Sequence, residues 1–210
     1  MDNLQHAALE VRDLSCFRDE RLLFSALSFE VQAGQSLLLE GANGSGKTTL
    51  LRILCGLREA DSGQIIWCGQ PADRSSYYRD MAYVGHADGT KKELTVLENL
   101  NFALALGAPG KYRIDEALDK VRLAGFDDNP VHTLSAGQKR RLSLARLLIT
   151  QNLLWILDEP FTSLDKHGIA LIESLIADHI GHGGIAVLTS HHDLRMADLN
   201  LKRIHLQACH

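Results

Sequence analysis

A nine-residue loop constrains the fold of this chain more than any other feature. Residues 41–49 read GANGSGKTT, which fits the phosphate-binding pattern G-x-x-x-x-G-K-[ST]. The apolar residues 36–39 precede the loop as a predicted strand, and residues 47–55 follow with leucines at helical spacing. Glycines in such a strand–turn–helix unit let backbone N–H groups converge on phosphate oxygens at the positive end of the helix. The pattern predicts a nucleotide site.

The residue types in this loop indicate how ATP is held. The Lys47 ammonium is predicted to reach the β- and γ-phosphates, and the Thr48 hydroxyl to bind Mg²⁺. The predicted ATP-binding set is the whole loop: Gly41, Ala42, Asn43, Gly44, Ser45, Gly46, Lys47, Thr48 and Thr49.

Two adjacent carboxylates end an apolar segment later in the chain. Asp158 and Glu159 follow the predicted strand 153–157, and burying both would be costly without a cation or a polarised water. Successive strand residues point to opposite sides, which suits two separate tasks. Asp158 is predicted to join the Mg²⁺ shell, and Glu159 to position and deprotonate the attacking water.

A second small, glycine-bearing segment lies between these two motifs. Residues 134–138 read LSAGQ, and Ser135 is predicted to cap the helix that continues through Gln138. Gly137 leaves backbone N–H groups open, so this helix end is a second candidate anion site. The cations Lys139, Arg140 and Arg141 follow; they oppose the helix dipole, and the alternative explanation is a solvated basic face.

Charge and hydropathy exclude several classes of function. The chain has 210 residues, 45% of them apolar, and 22 Lys and Arg balance 26 Asp and Glu for a formal charge of −4. Without a basic tract, no nucleic-acid partner is expected. The apolar runs are too short to cross a bilayer and the first ten residues show no secretory signal. We therefore expect a cytoplasmic protein that contacts a membrane only through partners.

Hydrophobic periodicity divides the chain into a β-rich frame and a helical insert. Residues 9–11, 27–31, 64–67, 153–157 and 185–189 are predicted strands, whereas 88–151 is mainly helical. Thr95 and Glu98 form a capping box at the start of a helix that ends near Gly107, and further helices are predicted over 112–123, 138–149 and 166–180. We expect one domain over 1–210, with an α/β core (1–87 and 152–210) and a helical subdomain (88–151).

Taken together, these motifs resemble those of ATP-binding cassette (ABC) ATPases over essentially the whole chain. The resemblance implies an α/β P-loop NTPase fold of the ABC type, with an N-terminal antiparallel β part and a helical subdomain inserted before the signature motif. It also implies a head-to-tail homodimer in the ATP-bound state, with each signature segment closing over the ATP of the other subunit. The signature residues are Ser135, Ala136, Gly137 and Gln138.

The same resemblance assigns further residues and exposes three departures. Asp165 matches the D-loop, and His191 matches the switch histidine that touches the γ-phosphate and assists catalysis with Glu159 and Lys47. Ala136 replaces a usual glycine, which implies weaker closure of the dimer. His86 replaces the glutamine of the Q-loop. The aromatic residue that stacks on adenine is displaced, leaving Phe17 or Arg18 as candidates.

These departures, together with residues 154–165 (LWILDEPFTSLD), resemble the ATP-binding subunits of cytochrome c maturation systems. That resemblance implies an ATPase at the cytoplasmic face of the bacterial inner membrane. It would power haem export or release of a haem-loaded chaperone, with integral membrane subunits of the CcmB and CcmC type as partners. The expected docking surface is the helical insert with the loop 86–94, whose residues 87–92 suggest a flexible polar stretch.

Three alternatives remain open at the level of sequence. The chain could be the ATPase subunit of another ABC transporter with a different cargo. A soluble ABC-type switch is disfavoured because such proteins carry two cassettes or a long coiled coil, for which 210 residues leave no space. A catalytically inactive subunit is favoured only by Ala136 and is disfavoured by five intact residues, Lys47, Thr48, Asp158, Glu159 and His191.

Overall fold

The computed structural model describes residues 8–73, 75–190 and 200–207 as two sheets with helices packed around them. The strands are β1 (Ala8–Arg18), β2 (Arg21–Gln32), β3 (Ser36–Glu40), β4 (Ser62–Trp67), β5 (Gln70–Pro71), β6 (Met81–Val84), β7 (Leu154–Leu157), β8 (Ile185–Thr189) and β9 (Leu201–His205). The helices are α1 (Lys47–Leu54), α2 (Ser75–Asp80), α3 (Val96–Leu106), α4 (Ile114–Lys120), α5 (Ala136–Ile149) and α6 (Lys166–Gly181).

The first sheet is antiparallel, with strand order β2-β1-β4-β5. Its β1–β2 hairpin is much longer than the two short strands predicted from sequence, and it turns at Asp19 and Glu20, which both have positive φ. The hairpin buries Leu9, Val11 and Leu14 on one face, although the register shifts after Val11. This irregularity interrupts the alternation of buried and exposed residues along the strands. The sequence pattern therefore predicted strands only at residues 9–11 and 27–31, the two ends of the hairpin.

The second sheet is parallel throughout and has the order β6-β7-β8-β3-β9. Because its strands run in the same direction, all their carboxyl ends lie at one edge. The phosphate loop follows β3, Asp158 and Glu159 follow β7, and Thr189 ends β8 at that edge. Strands β6 and β9 were not predicted from sequence because both are short and only partly buried.

Two hydrophobic cores cover the opposite faces of the parallel sheet. In β7, Leu154 and Ile156 belong to the core shared with α1 and the antiparallel sheet, whereas Trp155 and Leu157 belong to the core shared with the helices of the insert. Strand alternation therefore joins the two parts of the molecule through one buried strand. This burial on both faces explains the uninterrupted apolar run that the sequence shows here.

The helical segment contains the three helices that the sequence predicted there. Helix α3 begins with the predicted capping box, in which Thr95 Oγ1 accepts from the Glu98 N–H at 3.1 Å and the Glu98 carboxylate accepts from the Thr95 N–H at 2.8 Å. Helix α4 is shorter than the predicted 112–123, and α5 begins two residues before the predicted Gln138. Within the described ranges, no helix combines the length and apolar character needed to cross a membrane.

Candidate functional site

The phosphate loop is shaped by glycine backbone that a side chain could not follow. Gly41 has φ of +141°, and a Cβ there would lie 2.4 Å from the Leu206 carbonyl oxygen. Gly46 has φ of +99° and is the N-cap of α1, so the loop leads directly into the N-terminus of this helix, the end that favours an anion. The Lys47 ammonium donates to the Gly41 carbonyl at 2.7 Å and to the Ala42 carbonyl at 3.2 Å. The ammonium group of Lys47, the predicted phosphate-binding lysine, is thus held by carbonyls of the loop itself.

This loop forms one wall of a cavity of 450 Å³. The cavity brings together residues from five separate parts of the chain, which are Arg18, Leu23, Asn43, Gly44, Gly46, Lys47, Thr48, Thr49, His86, Glu159 and Thr162. Most of the predicted phosphate loop therefore meets Glu159 and His86 in one place. Of the two adenine candidates, Arg18 lines the cavity and Phe17 is not among the lining residues, although its side chain is 46% exposed.

A chain of hydrogen bonds connects the loop to the end of β7. The Thr48 hydroxyl donates to Asp158 Oδ1 at 3.3 Å, and the buried Thr189 hydroxyl donates to the same oxygen at 2.9 Å. Thr189 Oγ1 in turn accepts from the Glu159 N–H at 2.9 Å. Thr189 thus spans the two carboxylate residues, a contact that the sequence did not predict because it joins positions thirty residues apart.

The Thr48 hydroxyl and the Asp158 carboxylate provide oxygen ligands of the kind that a magnesium site needs. Mg²⁺ prefers hard oxygen ligands and is commonly bound by one or two protein groups together with phosphate oxygens and waters. The Thr48 hydroxyl and the Asp158 carboxylate already adjoin each other at the phosphate loop. Among the residues that the structure describes, no group of three or more His, Cys, Asp or Glu side chains is arranged to hold a metal. Nucleotide phosphates would therefore supply the remaining ligands.

Glu159 occupies a strained position at the edge of this cavity. Its φ is +54°, a conformation that costs a non-glycine residue about 1–3 kcal/mol and persists only when the surroundings enforce it. The next three residues, including Pro160, lead into a turn closed by the Thr162 N–H bonding the Glu159 carbonyl at 3.2 Å. The left-handed turn directs the chain away from the sheet immediately after the strand. The predicted magnesium ligand Asp158 and the predicted catalytic residue Glu159 thus lie on irregular backbone after the end of β7.

Arg140 contributes to holding that backbone. Its side chain is 3% exposed, and its guanidinium donates to the carbonyls of Asp158 at 2.8 Å, Glu159 at 2.7 Å, Pro160 at 3.2 Å and Gly85 at 2.7 Å. The alternative of a solvated basic face is therefore wrong for this residue. Its charge is satisfied inside the molecule, and no external anion is needed to explain it.

The signature segment is organised as a helix start with its small residues at the surface. Ser135 Oγ accepts from the Gln138 N–H at 3.2 Å, and the Gln138 side chain accepts from the Ser135 N–H at 2.8 Å. The predicted cap is confirmed as a reciprocal capping box. Ala136 is exposed, and a Cβ on Gly137 would lie 3.0 Å from the Ser163 carbonyl. None of Ser135–Gln138 lines the cavity of the same chain.

The two remaining predicted residues have different outcomes. Asp165 is the N-cap of α6, where its Oδ1 accepts from the Gly168 N–H at 2.7 Å. Asp165 lies three residues after Thr162, which lines the cavity. Its side chain caps the start of α6. His191 lies outside the described residues. Its predicted contact with the γ-phosphate therefore stays a prediction.

The loop that follows His86 is more firmly attached than its polar sequence suggested. Arg146 of α5 donates to the Gly89 carbonyl, and Arg140 lies 3.6 Å from the Asp88 carboxylate. The Asn99 side chain accepts from the Lys91 N–H at 2.8 Å and donates to the Lys91 carbonyl at 3.0 Å. The loop is thereby tied to both α3 and α5, which contrasts with the flexible stretch predicted for 87–92.

Comparisons with known sequences identify the family to which the chain is similar. Residues 24–162, more than half of the chain, match the profile of a family described as ABC transporter. The chain is 50% identical over 202 residues to the cytochrome c biogenesis ATP-binding export protein CcmA of Vibrio cholerae, covering 94% of this chain and 98% of that protein. The protein with the same description in Escherichia coli K12 is 48% identical over 200 residues, with 94% and 96% coverage.

Solved structures show the same architecture. A putative ABC transporter ATP-binding protein from Pyrococcus furiosus superimposes with a TM-score of 0.82 at 24% identity, covering 95% of this chain and 97% of that chain. This likeness concerns the fold. A structure described as the ATP binding subunit of an ABC transporter gives a TM-score of 0.83 at 26% identity, covering 95% and 87%. The similarity extends over nearly all of this chain in both cases.

Proposed function

The chain belongs to the ABC transporter family and hydrolyses ATP, and from this premise we propose that it powers export in cytochrome c biogenesis. The work would be the movement of haem or the release of a haem-loaded chaperone. The observation that carries this proposal is the 50% identity to a cytochrome c biogenesis ATP-binding export protein, which extends over 94% of the chain and 98% of the relative. Because the alignment covers almost the full length of both chains, we expect both proteins to contain the same motifs in the same order.

Within this function, each residue of the cavity has a separate task. The phosphate loop and Lys47 bind the ATP phosphates, and the Thr48 hydroxyl and the Asp158 carboxylate hold Mg²⁺, which neutralises phosphate charge when bound. The Glu159 carboxylate orients the attacking water and accepts its proton. His86 lines the same cavity, where a neutral imidazole can donate or accept one hydrogen bond to this water.

The signature segment acts on the second subunit of a homodimer. Ser135 and Ala136 are exposed and do not line the cavity of their own chain. The start of α5 offers backbone N–H groups that suit the γ-phosphate of a nucleotide bound by another copy. In this arrangement His191 touches the same phosphate from the ATP-binding subunit, and Asp165 orders the turn between the two sites.

An integral membrane subunit of the CcmB or CcmC type would dock in the groove beside the loop 86–94. This groove has a volume of 970 Å³ and lies between α3, α5 and the strand β6. Its lining includes the exposed apolar side chains Tyr78, Phe102 and Leu106, of which Leu106 is 76% exposed. Lys91 lies over the Phe102 ring at 4.7 Å, so a basic group borders the apolar surface. This docking places the chain at the cytoplasmic face of the inner membrane as a peripheral subunit.

Replacement in the host cell tests the proposed pathway. The chromosomal gene is exchanged for the Glu159→Gln variant, and haem covalently bound to c-type cytochromes is measured by haem staining of separated proteins. We expect c-type cytochromes to be lost while the amount of this chain, measured by immunoblot, stays unchanged. The exposed Glu59→Gln substitution serves as the matched control and should leave them at the wild-type level. Normal cytochromes in the Glu159→Gln strain would contradict the proposal.

A further inference from the structure

The Arg140 side chain connects three segments of the chain that have different proposed functions. It belongs to α5, two residues after the last signature residue, and its guanidinium bonds the carbonyls of Asp158, Glu159 and Pro160. The same group bonds the carbonyl of Gly85, directly before His86. One buried side chain therefore connects the start of the signature helix with the turn of the catalytic carboxylate and with the loop that leads to the docking groove.

The neighbouring cation on α5 shows that this placement is specific. Arg141 directs its guanidinium to the carbonyls of Val121 at 3.3 Å and Arg122 at 3.2 Å, which lie after α4 in the helical part. Arg140 and Arg141 thus both donate to backbone carbonyls, but these carbonyls belong to different parts of the molecule. Arg141 stabilises contacts within the helical part, whereas Arg140 reaches across to the end of β7.

Burying the Arg140 charge carries a cost that its partners must offset. Burial lowers the pKa of the guanidinium, and the Asp88 carboxylate at 3.6 Å partly opposes this effect. An arginine nevertheless stays protonated, so a full charge is held at a site that is nearly closed to solvent. Its planar group can bond several carbonyls in fixed directions, which a lysine or an amide cannot reproduce.

We propose that Arg140 is a positioning residue that fixes the orientation of Glu159 relative to His86 and ties it to the signature helix. The inference rests on the role proposed for Glu159. The Glu159 backbone has φ of +54°, and Arg140 holds the carbonyls on both sides of its α-carbon while Thr189 holds its N–H. Without the guanidinium, the turn can relax and the carboxylate moves away from the attacking water.

The predicted consequence is a loss in turnover without a matching loss in nucleotide binding. Arg140 does not line the cavity, and the phosphate loop keeps its own contacts through Lys47 and Thr48. A displacement of a catalytic group by about 1 Å can reduce turnover by roughly 100-fold. The movement of a signature helix bound to the second subunit's ATP would pass to Glu159 through the same side chain.

The test compares Arg140→Gln and Arg140→Lys with wild type and with Arg141→Gln, each as full chain within its membrane complex. Phosphate release gives kcat and KM, and titration with a fluorescent ATP analogue gives the Kd. We expect kcat to fall by about tenfold or more for Arg140→Gln and by less for Arg140→Lys, with the Kd within about twofold of wild type. Arg141→Gln should keep the wild-type kcat.

Two results would overturn this role for Arg140. One is a wild-type kcat in both Arg140 variants, and the other is an equal loss of kcat and ATP affinity, which indicates a structural role only. If Arg140→Gln does not fold, Arg140→Lys decides: a kcat lowered about threefold or more at an unchanged Kd supports the inference, and an unchanged kcat overturns it. Glu159→Gln is measured in parallel. Its normal turnover would remove the proposed role of Glu159, whereas its collapse beside wild-type Arg140 variants would remove only the inference.

Discussion

The two ends of β7 lie only four residues apart but differ in chemical character. At the carboxyl end, Asp158 and Glu159 take part in polar contacts with other strands and loops, and Glu159 has positive φ. At the amino end, the Trp155 ring stacks on His179 of α6, with 3.8 Å between ring centroids and an interplanar angle of 6°. The carboxyl end thus has charged groups and a positive-φ residue beside the nucleotide cavity, whereas the amino end is stabilised by stacked aromatic rings.

The physical origin of this difference is the direction of the parallel strands. Loops diverge at the carboxyl edge of such a sheet, which leaves a crevice that polar groups from several strands can share. At the opposite edge a Cβ on Gly184 would lie 2.3 Å from the His179 ring, so this ring packs directly against the backbone that leads into β8. We expect substitutions at the carboxyl end to affect catalysis and substitutions at the amino end to affect stability.

Glu159→Gln changes the catalytic carboxylate at the carboxyl end of β7. The amide keeps the shape of the carboxylate but cannot accept the proton of the attacking water, so we expect turnover to fall by about 10²–10⁴-fold. The Kd for ATP should stay within about twofold, because the phosphate loop is untouched. Steady-state phosphate release and equilibrium nucleotide titration measure the two quantities separately. Turnover close to that of the Glu59→Gln control would contradict the assignment.

His179 tests the other end of the strand through the pH dependence of stability. Burial lowers the pKa of His179 to about 4, while its hydrogen bond with the Ile185 carbonyl opposes this shift. The unfolded chain keeps an ordinary pKa of about 6.5, so between these values it binds more protons than the folded chain. The free energy of unfolding should therefore decrease as the pH falls from about 6.5 to 4, by roughly 3 kcal/mol from this group.

Urea unfolding of wild type and His179→Gln across this pH range measures the effect. We expect the variant to lose less of its unfolding free energy on acidification, because it has no group to protonate, while its kcat at neutral pH stays unchanged. His182→Gln is the comparison variant, because that side chain is 61% exposed, and we expect it to change the slope less than His179→Gln does. An identical acid slope in His179→Gln and wild type would remove His179 as its cause.

Thr189→Val removes a single contact at the carboxyl end of β7, and its effect should be smaller than those of the two substitutions above. The substitution keeps the side-chain shape but removes the hydroxyl between Asp158 Oδ1 and the Glu159 N–H. Loss of this hydrogen bond should lower the free energy of unfolding by about 1–3 kcal/mol, and kcat should fall because the strained turn loses a contact. Thr189→Ser keeps the hydroxyl and should retain kcat. Equal kcat values for Thr189→Val and wild type would separate this contact from catalysis.

Local motifs explain which parts of the molecule the sequence predicted. The phosphate loop and the capping boxes at Thr95 and Ser135 depend on residues within a few positions of each other, and the structure has all three. Arg140 and Thr189 act through partners 18 to 55 positions away, which no local pattern indicates. The terminal strand of a sheet, such as β9, depends on its neighbour β3 rather than on its own sequence.

We propose that this chain supplies ATP hydrolysis to a cytochrome c biogenesis complex. Affinity purification of the Glu159→Gln variant from native membranes with MgATP tests it most directly, followed by mass spectrometry and a haem absorbance spectrum of the same sample. We expect recovery of integral membrane subunits of the CcmB and CcmC type together with haem. Recovery of an unrelated permease, or of no membrane protein, would contradict it.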